Sequence, residues 1–327
     1  MTRHPSSLNF SANRLTLFVT IDTEADADPH WNKHFPFRFR SITEGIPQLL
    51  RPLWDAYQVV PIYFVSPEVL QDDACCQALR KEIRKGCIIG AHLHPEYIAP
   101  EYNYLRGKPT YDFPCYANST EIEYQKLQNF MLLFEEKLSL RPEWYRAGRF
   151  GADFDTMQLL CRLGFTYDSS VTPYINWTSV GGPDHSQAPE QPYWISKQHY
   201  YIPSKQADSL GILEVPVTIR GKRFGPLGNL LPDHWAFYSW LRPTHMTVVE
   251  HKHVIHSFMQ SYTSPTLVMM FHVMEILVNT SPYVRSPLMQ QMFLKRIEKT
   301  LAFVHKFDKG ACGDNVRRFS DDPSPLL

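Results

Sequence analysis

Apolar and polar residues along the chain form blocks that predict seven strands separated by helices. The first strand is the β-branched run LTLFVTI, which leads directly into the acidic stretch DTEAD at residues 22–26. Six further strands are predicted at QVVPIYFVS, CIIGAHLHP, EWYRAG, FTYDSSV, GILEVPVTI and TLVMMFHVMEI. Helices are predicted at SITEGIPQLLRPLWDAY, SPEVLQDDACCQALRKEIRKG, residues 121–138, DFDTMQLLCRLG, residues 246–262 and SPLMQQMFLKRIEKTLAFVHKF. Strands that alternate with helices indicate a parallel α/β sheet, open or closed into a barrel.

The length of the chain favours one domain. With 327 residues and 43% hydrophobic content, it can bury a single large core. We place this domain at residues 14–308, between a flexible N-terminus at 1–13 and a C-terminal tail at 309–327. The segment TPYINWTSVGGPDHSQAPEQPYW, between the fifth and sixth strands, is typical of a substrate-facing loop. A Tyr- and Pro-rich loop after HLHP runs to about residue 118 and is longer than most connections.

Charge and composition exclude several classes of partner. Lys and Arg together number 33, as do Asp and Glu, so there is no basic field that would attract nucleic acid. The sequence shows no signal-peptide pattern and no apolar run of about 18 residues that would predict a transmembrane segment. Six cysteines without a C-x-x-C pair are typical of reduced, structural thiols rather than of a cysteine-ligated metal. We therefore expect a cytosolic protein, which a lipid-linked substrate could also hold at the inner membrane surface.

Side chains that can carry chemistry follow five of the predicted strands. Each lies at the carboxyl end of its strand, where the active sites of parallel α/β folds form. Taken singly, each could be an ordinary loop, ion-pairing or core residue, but their shared position favours an active site. They are Asp22 and Glu24 after the first strand, His92 and His94 after the third, Arg146 after the fourth, Asp168 after the fifth and His272 after the seventh.

The residue types in this group indicate hydrolysis. Close acids at the end of a buried strand repel each other, so a cation is expected beside them. Two imidazoles and one carboxylate form a site that suits Zn²⁺ and leaves a position for water. A bound metal lowers the pKa of water from 15.7 to about 7, and a free carboxylate then removes the proton. Because a histidine on the opposite side can protonate the leaving group, these residues are suited to the hydrolysis of an amide or ester.

The motifs resemble those of the polysaccharide deacetylases with NodB homology, carbohydrate esterase family 4. The family's T-F-D-D-G resembles TIDTE at residues 20–24, H-[ST]-x-x-H-P resembles HLHP at 92–95, and R-x-P-[FY]-G resembles RAGRFG at 146–151. The fourth and fifth motifs resemble DSS at 168–170 and MFH at 270–272. The phrases IGAHLHPE, YRAGRFG, YDSSVTP, EVPVTI and FHVMEI are similar to those of the WalW-type branch, which is found with bacterial surface-glycan assembly genes.

The resemblance covers roughly residues 15–307 and implies a fold and a set of roles. The fold would be a distorted (β/α)7 barrel, and the cofactor a divalent metal, usually zinc. Asp22 would act as the base, oriented by Arg146. His272 would be the general acid, held in its protonated form by Asp168.

The metal motif departs from the family pattern in two places. Thr23 stands where the family has its metal-binding Asp. We expect Glu24 to replace it, as in deformylase-type relatives that act on lipid-linked aminosugars, with Asp26 as the alternative. The histidine motif is two residues shorter than usual, so His92 and His94 would approach the metal differently.

The resemblance also implies a reaction and a substrate class. The protein would remove an N- or O-acyl group, typically acetyl, from a nucleotide- or lipid-linked sugar in bacterial surface-polysaccharide or lipopolysaccharide biosynthesis. Trp177, Tyr193 and Trp194 are expected to stack on the sugar. Two alternatives stay open. One is a metal-free hydrolase of a non-peptide C–N bond, and the other is a catalytically inactive glycan-binding or scaffolding protein.

Overall fold

The computed structural model describes residues 15–100, 119–222, 238–244 and 246–307. The segments predicted as a flexible N-terminus and a C-terminal tail, and most of the Tyr- and Pro-rich loop, lie outside the described residues. The strands are β1, Thr16–Thr23; β2, Ile62–Val65; β3, Ile88–Leu93; β4, Trp144–Ala147; β5, Tyr167–Asp168; β6, Tyr193–Ser196; β7, Pro203–Ser204; β8, Ser209–Glu214; β9, Ile219–Lys222; β10, Tyr238–Trp240; and β11, Thr266–His272.

Helices connect most of the strands. Within the described residues, none of them is long and apolar enough to cross a membrane. A π-helical segment, Ser41–Leu50, runs directly into the first α-helix. The α-helices are α1, Arg51–Tyr57; α2, Pro67–Leu70; α3, Asp73–Arg84; α4, Thr120–Leu138; α5, Phe154–Leu163; α6, Val248–Ser261; and α7, Pro287–Val304.

The main sheet is curled and contains the seven predicted strands, all parallel, in the order β11-β1-β2-β3-β4-β5-β8. The strands β6 and β7 continue it as antiparallel additions beyond β8. Hydrogen bonds bridge the gap back to β11. Thr218 and Val268 exchange two, since the backbone N–H of Val268 donates to Thr218 Oγ1 at 2.7 Å and the backbone N–H of Thr218 donates to the Val268 carbonyl oxygen at 3.2 Å. Gln191 exchanges two more with the backbone of Thr266. The predicted distorted barrel is therefore confirmed, with an opening that a few hydrogen bonds cross.

The alternation of side chains along β1 explains why acids end this strand. Phe18 points into the barrel and joins an inner apolar cluster, whereas Val19 and Ile21 pack outward among residues of the large core. The two-residue period of a strand then directs Thr20 and Asp22 inward, toward the carboxyl end of the barrel. Both faces of β1 are covered, so its sequence is a nearly continuous apolar run.

Strand register brings the sequence motifs to one level. Asp22 of β1 pairs with His272 of β11. His92 of β3 pairs with Arg146 of β4. Because all four residues lie at the carboxyl ends of neighbouring parallel strands, their side chains converge on the same mouth.

Candidate active site

A buried ion pair lies at the centre of the mouth. Arg146 Nη1 donates to Asp22 Oδ1 at 2.7 Å, and both side chains are almost completely buried. The other guanidinium nitrogens donate to Thr20 Oγ1 and to the backbone and hydroxyl oxygens of Ser169, at 2.9–3.0 Å. The Phe64 ring lies 4.3 Å below the guanidinium carbon. The arginine is thus fixed on every side, and one oxygen of Asp22 is fixed with it.

The electrostatic field of the mouth keeps Asp22 ionised. Burial alone raises the pKa of this carboxyl group, but the Arg146 guanidinium, with the imidazoles of His92 and His272, lowers the pKa below its usual value. Asp22 Oδ2 does not face the arginine and lies 4.0 Å from His272 Nε2. A carboxylate with one oxygen anchored and one available can accept a proton in a defined direction.

Glu24, His92 and His94 form a compact group beside this ion pair. Their nearest ligand atoms all lie within 4.8 Å of one another, and all three side chains are buried. Glu24 Oε1 lies 3.2 Å from His92 Nε2 and 3.3 Å from His94 Nε2. His92 Nδ1 lies 2.9 Å from the carbonyl oxygen of Arg146. Since a carbonyl only accepts, this nitrogen carries a proton, and Nε2 faces Glu24.

The second histidine is supported in a comparable way. His94 Nδ1 lies 3.5 Å from Glu96 Oε1, and Glu96 is paired with Arg149 at 2.7 Å. Gly148 makes room for the ring, because a Cβ at this position would lie 2.6 Å from the carbonyl oxygen of Leu93 and 3.0 Å from His94 itself. Gly148, the first glycine of the RAGRFG motif, therefore has a steric role in placing His94.

These three side chains fit a divalent cation. The two imidazoles and the carboxylate supply two nitrogens and one oxygen, a donor set of catalytic zinc sites with three protein ligands. His94 Nε2 is buried, and its partner in the described part of the chain is Glu24 Oε1 at 3.3 Å, within the same group. Carboxylate or carbonyl partners on the Nδ1 side of each histidine are the usual outer support of such sites.

The charges of the group also depend on a lysine. Burial raises the pKa of Glu24, but the Lys33 ammonium and the imidazoles lower it well below the usual value. Burial lowers the pKa of His94, whereas the carboxylates of Glu24 and Glu96 raise it to about 9. Lys33 Nζ lies 2.5 Å from Glu24 Oε2. The cation expected beside the acids is therefore present in the chain itself, independently of any metal.

The structure places the alternative carboxylate, Asp26, in a different role. Its Oδ1 accepts hydrogen bonds from the hydroxyl and the backbone N–H of Ser41, and its Oδ2 accepts one from the backbone N–H of Arg40. Asp26 thus holds the start of the π-helical segment, as a capping residue does. Of the two acids considered as ligands, it is Glu24 that the fold brings to the histidines.

The predicted partner of His272 is wrong. His272 Nδ1 lies 3.1 Å from Glu275 Oε1, three residues along the chain, and Glu275 is buried. Arg242 Nη2 donates to the same carboxylate at 2.5 Å, and the hydroxyl of Thr244 donates to its other oxygen. His272 Nε2 consequently faces the cavity, 3.7 Å from Glu24 Oε1.

Asp168 instead belongs to a buried acidic group behind Arg146. It accepts hydrogen bonds from Ser170 at 2.6 Å and from Tyr200 at 2.5 Å. The Tyr200 hydroxyl also lies 3.4 Å from Glu214, whose pKa is raised well above its usual value by burial and by the charge of Asp168. Asp168 is thus engaged by Ser170 and Tyr200, whereas His272 Nδ1 faces Glu275.

A cavity of about 490 Å³ opens over these side chains. Aromatic rings form much of its wall, and Trp31, which is part of the loop after β1, packs edge-on against His272 with ring centroids 5.5 Å apart. Arg149 and Phe150 line the cavity with backbone φ angles of 55° and 59°, a left-handed conformation that non-glycine residues rarely adopt outside functional sites. The lining aromatic residues are Trp31, Phe35, Phe37, Tyr97 and Phe150.

The aromatic residues expected to stack on substrate lie elsewhere. Trp177 stacks on the outer side of Phe150, with ring centroids 6.4 Å apart, and so supports the wall without lining the cavity. Tyr193 and Trp194 line a separate cavity of about 470 Å³. None of these three residues lines the cavity at the mouth, and their stacking on a sugar stays a prediction.

Sequence reasoning missed Lys33, Glu275 and Trp31. Glu275 follows His272 at a spacing of three, which could have signalled a partner. Lys33 and Trp31 belong to the irregular segment DPHWNKHFPFRF, where no periodicity or motif points to them.

Comparisons with known proteins support the fold. No protein-family model and no curated protein sequence matches the chain. Among solved structures, a protein assigned as a polysaccharide deacetylase from Mycobacterium smegmatis has a TM-score of 0.57 at 16% identity, covering 100% of this chain and 96% of that one. A second such assignment, from Pseudomonas aeruginosa, has a TM-score of 0.54 at 14% identity over 96% and 92% of the two chains. The Puue allantoinase has a TM-score of 0.55 at 12% identity over 100% and 96%.

The similarity covers nearly the whole length of this chain and of each of the three structures, so it concerns the complete barrel. Identities of 12–16% show a shared fold and leave the reaction to be argued from the site. The chain has the fold of the polysaccharide deacetylases, as its motifs predicted.

Proposed function

We propose that the protein is a metal-dependent hydrolase that removes an N- or O-acyl group, acetyl in the first instance, from a sugar. The observation that supports this most directly is the convergence of three elements on one cavity. They are the Glu24, His92 and His94 group, the Asp22 carboxylate fixed by Arg146, and His272 on the facing strand.

Glu24, His92 and His94 would hold the metal. When bound, the divalent cation supplies Lewis-acid polarisation of the acyl carbonyl and lowers the pKa of water. Zinc is our choice, because two imidazole nitrogens and one carboxylate oxygen match its preferred donors. Ring orientation is set by the protein, since the Nδ1 nitrogens face the Arg146 carbonyl and the Glu96 carboxylate.

Asp22 would act as the base. Arg146 binds Oδ1 and keeps the carboxylate ionised, while Oδ2 faces the cavity. As water attacks the acyl carbon, Oδ2 takes one of its protons. The rigid setting of Arg146 keeps that oxygen in one place, which is the positioning contribution to the rate.

His272 would act as the acid. Glu275 holds its Nδ1, so that Nε2 projects into the cavity from the strand next to Asp22. When the tetrahedral intermediate collapses, the C–N or C–O bond to the sugar breaks, and Nε2 gives its proton to the departing nitrogen or oxygen. Glu275 stabilises the charged imidazolium that this step requires.

The surroundings of the cavity support a sugar as substrate. Rings such as Trp31 and Phe150 offer apolar faces of the kind on which sugar rings stack, and charged side chains between them can bind hydroxyls. We propose a nucleotide- or lipid-linked sugar, acted on in the cytosol during surface-polysaccharide or lipopolysaccharide assembly. The resemblance of the motifs to the WalW-type branch supports this setting.

The test is release of acetate. Purified protein supplied with one equivalent of zinc is incubated with N-acetyl and O-acetyl sugars, free and nucleotide-linked, and acetate is measured by an enzyme-coupled assay. We expect turnover that chelator removes and zinc restores, and that Glu24→Gln abolishes. Binding of sugars without acetate release in any of these assays would instead indicate the inactive, scaffolding alternative.

A metal-free hydrolase of a non-peptide C–N bond is the second candidate. Two observations favour it: the same fold in an allantoinase, and the Lys33 ammonium, which already gives Glu24 a cation. Under this alternative, chelator-treated protein retains full activity on an amide substrate such as allantoin. Chelator treatment in both assays therefore separates the two functions.

A further inference from the structure

Lys33 lies between two buried carboxylates at the edge of the Glu24, His92 and His94 group. Its Nζ is 2.5 Å from Glu24 Oε2 and 3.6 Å from Glu68 Oε1. The side chains of Glu24 and Glu68 are 6% and 1% exposed and that of Lys33 is 12% exposed, so the three charges have little water around them. The Tyr97 ring lies 5.3 Å from the ammonium and covers another side of it.

The two oxygens of Glu24 have different neighbours. Oε1 faces the histidine nitrogens, at 3.2 and 3.3 Å, whereas Oε2 carries the ammonium. A divalent cation held by Oε1 and a lysine held by Oε2 would share one carboxylate in a buried place. Like charges at such close range repel strongly, because little water screens them. The lysine therefore opposes the metal for which the other three side chains are arranged.

Glu68 provides a second position for the same ammonium. Its Oε1 accepts the backbone N–H of Ala25 at 3.1 Å. Its Oε2 is buried and accepts no hydrogen bond from the residues that the structure describes. A buried carboxylate oxygen without a donor is costly, so it marks a place prepared for a cation. The chain supplies that cation within reach, on the loop that also contains Trp31.

We propose that Lys33 is the resident counter-cation of the metal site, and that it passes from Glu24 to Glu68 when a divalent metal binds. The proposal rests on the metal site of the proposed function, and it adds that Lys33 and Glu68 set the affinity of this site for the metal. Lys33 neutralises Glu24 in the metal-free protein, which balances part of the charge of the buried acids Glu24 and Glu68. Glu68 receives the ammonium afterwards, so that the charge need not leave the protein interior.

The experiment measures the affinity of the whole protein for Zn²⁺ and Co²⁺ alone, by competition with a chromophoric chelator at one pH. Lys33→Met removes the charge and keeps the length of the side chain. We expect it to bind metal about tenfold more tightly than the wild type, since a repulsive charge is gone. Glu68→Gln removes the second position and should weaken binding about tenfold. The double variant should match Lys33→Met, because Glu68 matters only through the lysine.

Arg38→Met is the matched control, because it removes an exposed positive charge from the same loop. Its metal affinity should equal that of the wild type. Circular dichroism and urea unfolding of each metal-free variant show whether the protein is folded. The proposal fails if Lys33→Met binds metal no more tightly than the wild type, or if Glu68→Gln weakens binding equally with and without Lys33.

Failure of this inference differs from failure of the proposed function. If the wild type binds metal and Glu24→Gln does not, while Lys33→Met has wild-type affinity, the metal site stands and the role of Lys33 is wrong. If wild type, Lys33→Met and Glu68→Gln are all folded and none takes up metal, both the metal-dependent function and the counter-cation role are wrong.

Discussion

Arg146 Nη1 lies 2.7 Å from Asp22 Oδ1, in a pair that is almost completely buried. The arginine reaches across the inside of the barrel from β4 to β1, and its remaining nitrogens are bound by Thr20 and Ser169. A buried pair of this kind is strongly destabilised when one partner is removed, because the other charge stays without compensation. The fold and the reactive carboxylate therefore depend on the same contact.

Replacement of Asp22 by Asn should remove the base and leave the metal site intact. We expect kcat to fall by about 10²- to 10⁴-fold, because the amide cannot accept the proton of the attacking water. Metal content should remain that of the wild type, since Glu24 and the histidines are unchanged. Asp155→Asn, at an exposed position in the first turn of α5, is the control and should keep wild-type kcat. Retention of more than about a tenth of kcat by Asp22→Asn would contradict this assignment.

Metal content should separate the two candidate carboxylates. Glu24→Gln loses the oxygen that faces both histidines, and its affinity for zinc should fall by more than about 100-fold. Asp26→Asn keeps the group intact and should bind about as much zinc as the wild type, because Asp26 is engaged by Arg40 and Ser41. Elemental analysis after dialysis against limiting zinc gives the comparison. Zinc loss confined to Asp26→Asn would reverse the assignment.

Glu275 should matter for the acid step, and Asp168 should not act on the same group. Glu275→Gln removes the negative charge that favours the charged imidazole of His272, while the amide keeps the size of the side chain. We expect kcat to fall about tenfold, because His272 Nδ1 loses its charged partner. Asp168→Asn leaves that partner in place and should lower kcat by less. A larger loss of kcat in Asp168→Asn than in Glu275→Gln would restore the partner expected from the motifs.

Trp31 should contribute to substrate binding. It lines the cavity next to His272, so Trp31→Ala should raise KM by about two- to tenfold with a smaller change in kcat. Trp194→Ala is the matched control, since Trp194 lines the separate cavity. Steady-state kinetics on one acetylated sugar measure both variants. An increase in KM for Trp194→Ala alone would place sugar binding at the second cavity.

The buried His251 should make the protein sensitive to mild acid. Its Nδ1 lies 2.8 Å from Thr300 Oγ1, and burial lowers its pKa from 6.5 to about 4. As the pH falls, His251 is therefore protonated in the unfolded chain before it is protonated in the folded protein. The folded protein keeps its full stability above pH 6.5 and loses this contribution as the pH falls toward 4. This amounts to about 3 kcal/mol of the free energy of unfolding.

Urea unfolding at pH 7 and at pH 4.5 measures this effect. His251→Asn should show a smaller loss of stability between the two pH values than the wild type, although it is less stable at pH 7. His253→Gln, on the exposed side of the same helix, should lose as much stability as the wild type. An equal loss in His251→Asn would mean that other groups cause the acid sensitivity.

Much of the fold and part of the site follow from local sequence patterns. Apolar runs in β1 and in six other segments, separated by helical patterns, predict the seven parallel strands of the sheet. Parallel strands have a common carboxyl end, so the positions of the acids, the histidines and Arg146 at one mouth follow from the order of strands and helices. Thr23 stands at the position of the family's metal-binding Asp, so the carboxylate ligand had to be another residue. The resemblance of the motifs indicated Glu24.

Side-chain partnerships across the mouth were decided only by the tertiary structure. A strand pattern gives the level of His272 in the barrel but not the partner of its side chain, which is Glu275, while Asp168 is bound by Ser170 and Tyr200. The loop after β1 has no periodicity, so the sequence could not show that Lys33 turns back onto Glu24 or that Trp31 covers His272. Secondary structure is encoded by neighbours along the chain, whereas these contacts join distant segments whose geometry exists only once the barrel has formed.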